Sequence, residues 1–339
     1  MSDPWSGNWL WLWRMDAVGA DPNDLAAEAK KLGVTGVIVK AHDGSIGGSW
    51  MKQLRELAGP LRDAGLEVAA WGYLYGLYPE IEAATAAKAI KSGASFYVAD
   101  AEAEFERPGM DEAAALFFFH LYQEVPEAVV GFTSFAVTNL HPKFPWSTFA
   151  NHCRFAMPQV YWREIGWKPD VCWSRSYASY VGLVRPIVPV LQAFGGVDPN
   201  EMLEVAELAK RYGCPGVSWW SWQHAGSSQL NAVKEAGRLF GVGKDYAGRW
   251  SEKAIERAKQ LGIMSDYADG TFRPTQALTR EEAAALTVKL WNEIMEQVSG
   301  CLSQVAKRMQ EIAGALGGVA GVEGEAAEAD GGGGVEAGR

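Results

Sequence analysis

Between residues 8 and 240 the chain repeats one alternation eight times: a short apolar run, then a stretch with apolar residues at helical spacing. The runs fall at 8–13, 34–41, 67–75, 95–105, 128–135, 154–162, 187–195 and 216–225. Helical spacing, with caps or prolines at the starts, marks 22–32, 49–64, 81–91, 110–123, 199–212 and 230–240. Strands that read as continuous apolar runs are buried on both faces, as in parallel sheets covered by helices. Eight such units predict an α/β fold, a (β/α)8 barrel over residues 1–241. The link 138–151 is short and interrupted by proline, so its helix is expected to be irregular.

A barrel of this kind carries its site at the carboxyl ends of the strands. The first run there offers Arg14 and Asp16, the second Lys40 and His42, and the third Tyr73. The fourth, SFYVADAEAEFE over 95–106, sets Asp100, Glu102 and Glu104 at alternate positions, which on a strand converge on one face. Three carboxylates that close need a shared proton or a cation, and neighbouring carboxylates with separated proton affinities are the equipment of glycoside hydrolysis. Lys40 is then their counter-ion. Further on come Gln159 and Tyr161, Gln192, and finally Trp220 and Trp222. Together this rim describes a carbohydrate cleft, with Glu102, Asp100, Glu104 and Asp16 as the catalytic candidates and the others as substrate contacts. A metal site could be drawn from His42, His224 and Asp100, but they come from different strands with no local ligand spacing, so no metal and no cofactor is expected. Glycine-rich phosphate loops and nucleophile elbows are missing from the sequence.

The net charge of −10 disfavours nucleic acid and anionic membranes as partners and leaves a neutral, polyhydroxylated ligand. Fifteen tryptophans and eleven tyrosines supply faces on which sugar rings stack. Cys153, Cys172, Cys214 and Cys301 have no CxxC spacing, so free thiols are expected. The opening MSDPWSGNWLWLWRMD lacks a basic start and a small-residue cleavage site, and no apolar run reaches the roughly 18 residues of a membrane span. The expectation is synthesis in the cytoplasm without a signal peptide, with phage-type release if the target is a cell wall.

Two resemblances attach to the barrel. A first strand ending in aspartate, a second ending in VIVKAHDG and a fourth ending in Asp-x-Glu resemble the glycoside hydrolase family 25 lysozymes across residues 8–240. That resemblance implies cleavage of peptidoglycan, with Glu102 as general acid, Asp100 as its partner and Asp16 as the aspartate of the first strand. DAEAE at 100–104, MPQVYW at 157–162 and SWWSW at 218–222 resemble instead the family 18 chitinases and spore-cortex hydrolases. There Glu104 would be the acid, and Glu102 stands where that family has aspartate.

Residues 250–290 resemble an S-layer homology domain, in the tryptophan start, the LGI helix end, YADGTFRP and LTREEAA. Thr279 and Glu282 form a capping box ahead of the next helix. The resemblance implies a small all-α domain over 242–290 that holds anionic secondary wall polysaccharide, with Trp250, Arg273 and Arg280 as the contacts. From Val288, apolar residues alternate at three and four through Trp291, Met295, Val298, Leu302, Val305, Met309, Ile312 and Leu316. This predicts a coiled-coil helix over 288–316, and Val, Val and Ile at the d positions disfavour two strands, so a homotrimer is expected. Residues 317–339, rich in Gly, Ala and Glu, read as disordered.

The expected whole is a glycoside hydrolase acting on peptidoglycan or a related amino-sugar polymer, addressed to the bacterial wall by its second domain. The alternative is a non-catalytic wall protein whose barrel holds sugar without cutting it.

Overall fold

The computed structural model describes residues 3–184, 186–241, 246, 249–265, 267 and 272–325, and side chains as far as 312. Two compact units divide the chain, Met1–Lys244 and Asp245–Arg339.

The first unit is a closed barrel of eight parallel strands. They are β1 (Gly7–Leu12), β2 (Gly36–Asp43), β3 (Glu67–Leu74), β4 (Tyr97–Ala101), β5 (Val130–Phe135), β6 (Phe155–Val160), β7 (Val190–Gln192) and β8 (Gly216–Trp220). Around them run α1 (Pro22–Lys31), α2 (Gly48–Asp63), α3 (Pro79–Lys91), α4 (Met110–Glu124), α5 (Trp146–His152), α6 (Trp162–Ile165), α7 (Pro169–Tyr180), α8 (Pro199–Arg211) and α9 (Ser227–Leu239). The irregular fifth link appears as the seven-residue α5, held short by Pro145 before it.

Strand alternation divides the core in two. Outward residues such as Leu10, Val37, Ala70 and Val130 pack on the helices. Inward residues fill the barrel with Trp9, Trp11, Ile38, Trp71, Phe96, Val98, Phe155, Met157 and Val190. Rings that large need small neighbours, and a Cβ on Gly131 would lie 2.4 Å from the Phe155 ring. The tryptophan surplus is therefore mainly packing, with Trp9, Trp11, Trp71, Trp162, Trp173 and Trp219 all fully buried. Closure between β1 and β8 is fixed by buried Asn8, whose Oδ1 accepts from Trp219 Nε1 at 2.7 Å while its Nδ2 donates to Val233 O at 2.9 Å. Every polar atom of that amide is thus partnered away from water, as burial requires.

In the second unit, α10 (Glu252–Gln260) precedes α11 (Arg280–Glu325), and Tyr246, Ile255 and Phe272 form a small core. The capping box is present: Glu282 N donates to Thr279 Oγ1 at 3.1 Å, and Thr279 N to Glu282 Oε2 at 2.8 Å. The expectation of disorder from 317 is corrected as far as Glu325, because α11 continues to that residue. Residues 326–339, and the Asp269, Gly270 and Thr271 of the expected turn, lie outside the described residues.

Candidate active site

The acidic stretch does not stay a strand. β4 ends at Ala101, Glu102 follows it, and Ala103–Glu106 turns as a 3-10 helix. Asp100 and Glu102 nevertheless line one cavity of about 100 Å3 with Trp11, Thr133, Gln159, Tyr161 and Trp220. They are hydrogen-bonded to each other. Gln159 Nε2 bridges the pair, donating to Glu102 Oε1 at 2.8 Å and reaching Asp100 Oδ1 at 3.4 Å. Glu104, placed by the turn, does not line that cavity and instead accepts from Tyr73 Oη at 2.7 Å.

Burial decides the protonation of the pair. Asp100, only 5% exposed, is pushed well above the usual carboxylate range, by burial first and by the Glu102 charge next. Glu102 is also raised by burial, against the lowering effect of the Gln159 hydrogen bond. Two carboxyls this close titrate as a unit and retain a proton that isolated ones would have lost. Tyr161 and Tyr73 are pushed upward as well, chiefly by burial with the carboxylates adding to it, so both stay protonated donors.

The floor is aromatic. Trp11, Trp71 and Trp220 meet edge to face, with centroids 5.3–5.7 Å apart, and the peptide after Trp220 is cis. Buried Trp11 Nε1 has no hydrogen-bond partner among the described residues, leaving a donor in the wall of the site. Lys40 is enclosed by the rings of Trp13, Trp50 and Trp71 at 5.6, 4.7 and 4.8 Å and pairs with Asp43 at 3.2 Å. Its charge still favours the ionised form of Asp100.

Other expected residues are placed elsewhere. A bulge between Lys40 and His42 breaks the alternation of β2. His42 is fully buried, one ring nitrogen 2.7 Å from Tyr97 Oη and the other 2.8 Å from Gly44 O, over a Gly72 whose Cβ would come within 1.9 Å. It therefore contacts no substrate and cannot join Asp100 and His224 around a metal. Among the described residues no group of three or more His, Cys, Asp or Glu is arranged to hold a metal ion. Gln192 Oε1 accepts from Arg163 N at 3.0 Å. Trp222 begins a 3-10 turn and is buried in the outer core. Arg14 and Asp16 form an exposed ion pair, 2.6 Å apart, on a shallower hollow with Trp13 and Trp50. Trp11 and Thr133 were missed. Both point inward by strand parity one step below the rim, which was the available signal.

In the second unit Arg273, at φ +55°, lies 4.3 Å over the Tyr267 ring and lines a hollow of about 370 Å3 with Phe272, Gln276 and Lys289. Trp250 is 96% exposed, and neither it nor Arg280 lines that hollow.

The barrel has the fold of chitinases. It superposes on the chitinase of Chromobacterium violaceum with a TM-score of 0.52 at 12% identity, covering 68% of this chain and 98% of that one. For the family 18 chitinase of Cycas revoluta in complex with allosamidin the TM-score is 0.55 at 10% identity, over 70% and 100%. For the spore cortex-lytic enzyme SleL of Bacillus megaterium it is 0.51 at 11%, over 68% and 74%. The second unit contains an S-layer homology domain, matched over residues 244–284. Outer membrane protein SlpA of Deinococcus radiodurans is 44% identical over 50 residues, 15% of this chain and 4% of that protein. Cell surface glycoprotein 1 of Acetivibrio thermocellus is 43% identical over 42 residues, 12% and 2%. The chain thus spans a few per cent of the length of these relatives.

Proposed function

We propose that the protein is a wall-associated glycoside hydrolase that cuts a polymer of N-acetylated amino sugars, with Glu102 as the acid. The observation that carries this reading is the hydrogen-bonded Asp100–Glu102 pair, bridged by Gln159 over a tryptophan floor. Carboxyls in direct contact cannot take opposite faces of a sugar ring, since an acid and a carboxylate nucleophile stand about 5–5.5 Å apart and inverting pairs stand further. They can serve a reaction in which the substrate supplies its own nucleophile. Glu102 gives its proton to the glycosidic oxygen as the C1–O bond breaks, and the carbonyl oxygen of the 2-acetamido group closes onto C1. Asp100 holds the acetamido N–H. Water then attacks C1 as the acetamido oxygen leaves it, Glu102 takes the proton of that water, and the anomeric configuration is retained. At about 100 Å3 the cavity has room for roughly three waters, the scale of an acetamido group and smaller than a pyranose ring. Unpartnered Trp11 Nε1 and protonated Tyr161 are donors for its carbonyl oxygen. The chitinase fold and the S-layer homology domain support the reading from outside the site. The test is release of reducing sugar from purified peptidoglycan and from chitin by the intact protein. Release is expected on at least one polymer; none on either, with retained pelleting on walls, overturns the hydrolase reading in favour of a binding barrel.

The second unit is the address in this reading. Arg273 suits a carboxylate-bearing wall polysaccharide, since a guanidinium can donate two parallel hydrogen bonds to one carboxylate. The 46-residue α11 keeps its three-four stripe at the surface, with Trp291, Leu302, Val305, Met309 and Ile312 all at least half exposed. A regular apolar seam of that length is satisfied by copies of itself, and the β-branched d positions favour three. Sedimentation at micromolar concentration is expected to give a trimer; a monomer sinks this assignment.

A further inference from the structure

Beside the central cavity a second hollow of about 270 Å3 opens, sharing Gln159 and Tyr161 with it. Phe135, Val137 and Leu140 wall it from the end of β5 and the turn that follows, and Ile165 and Trp167 from the other side. Leu140 is 61% exposed and Ile165 40%, an apolar mouth on the rim where the strands end. We propose that this hollow receives the leaving sugar and selects an uncharged, apolar substituent on it. The inference rests on the hydrolase reading above and deepens it.

The position follows from the acid. The oxygen protonated by Glu102 belongs to the leaving sugar, so that sugar must lie next to Glu102. The hollow begins at Gln159, the residue that donates to Glu102. The other large hollow on this rim, between Trp13 and Trp50, shares no residue with the central cavity.

The selection follows from the lining. Hydroxyls alone would leave Leu140 and Ile165 uncovered, whereas an alkyl, acyl or aryl group would bury them. A free carboxylate would meet Glu164, which lines the hollow and already acts on Glu102, with Glu102 and Asp100 beyond it. No lysine or arginine is among the described residues that line the hollow, and His141 there faces Glu106 at 3.4 Å. The substrate class is a β-glycoside of an N-acetyl amino sugar whose aglycone is apolar and neutral where it meets Ile165.

Two chitobiosides that differ only in a para substituent on a phenyl aglycone, methyl against carboxylate, test this with the intact protein and with Ile165→Lys. Ile165 is exposed and outside the catalytic pair, so the substitution is expected to fold. The methyl:carboxylate ratio of kcat/KM is expected to fall by about tenfold or more in Ile165→Lys, through KM. An unchanged ratio, including one in which both glycosides lose equally, overturns the subsite. If the intact protein cleaves none of them, the hydrolase reading fails separately, and equilibrium binding of the same two glycosides decides: equal Kd values overturn the subsite, and a preference for methyl that Ile165→Lys reverses upholds it.

Discussion

Glu102→Gln is expected to reduce the release of reducing sugar by about 10²–10⁴-fold, the range a positioned general acid supplies. Glutamine keeps the shape and can still bond Gln159, but it has no proton to deliver to the leaving oxygen. Glu104→Gln in the same assay is expected to lose far less, because Glu104 lies on the turn after β4 and is held by Tyr73 rather than by the cavity. The comparison separates the two assignments that the motif alone left open. A larger loss with Glu104→Gln than with Glu102→Gln would move the acid to the turn and undo the geometry proposed above.

Asp100→Asn is expected to act in opposite directions on activity and stability. Without a carboxyl that can ionise against the acetamido group as the pair gives up its proton, turnover should fall by roughly 10²-fold or more, as when one preorganised electrostatic contact is removed. Stability at neutral pH should rise. The native Asp100 is raised well above its ordinary value, by burial first, so the folded chain binds a proton that the unfolded chain has released. Stability is then greatest below the unfolded value of about 3.9 and is lost as pH climbs from there through the raised native value. Asparagine removes that loss. Thermal melts should therefore show Asp100→Asn above the parent at pH 7 and the advantage vanishing near the ordinary carboxylate range. A variant less stable than the parent at pH 7 would mean that burial does not penalise Asp100.

Much of the architecture could be read from patterning, because each element is specified locally. The apolar runs and helical spacings between 8 and 240 predict strand and helix from short windows, and eight such units close in one common way. The capping box at Thr279 and Glu282 is likewise a three-residue relation, legible in sequence and present in space. The site was legible only as a set of strand ends. Which members face the cavity depends on register, and register is a property of neighbouring strands. The bulge at Lys40 and His42 sends His42 to Tyr97 and leaves Lys40 among tryptophans, and the turn after Ala101 separates Glu104 from its two neighbours. Neither break has a local signal.

By itself, then, the sequence determined the barrel, the second domain and the acidic end of the fourth strand, since period, caps and turns are encoded within a few residues of where they act. Only the tertiary structure decided that Asp100 and Glu102 line one cavity beneath Gln159, both raised in proton affinity by burial, while Glu104 turns to Tyr73. Proton affinity depends on what is packed around a carboxyl, and those neighbours come from strands as far along the chain as Trp220.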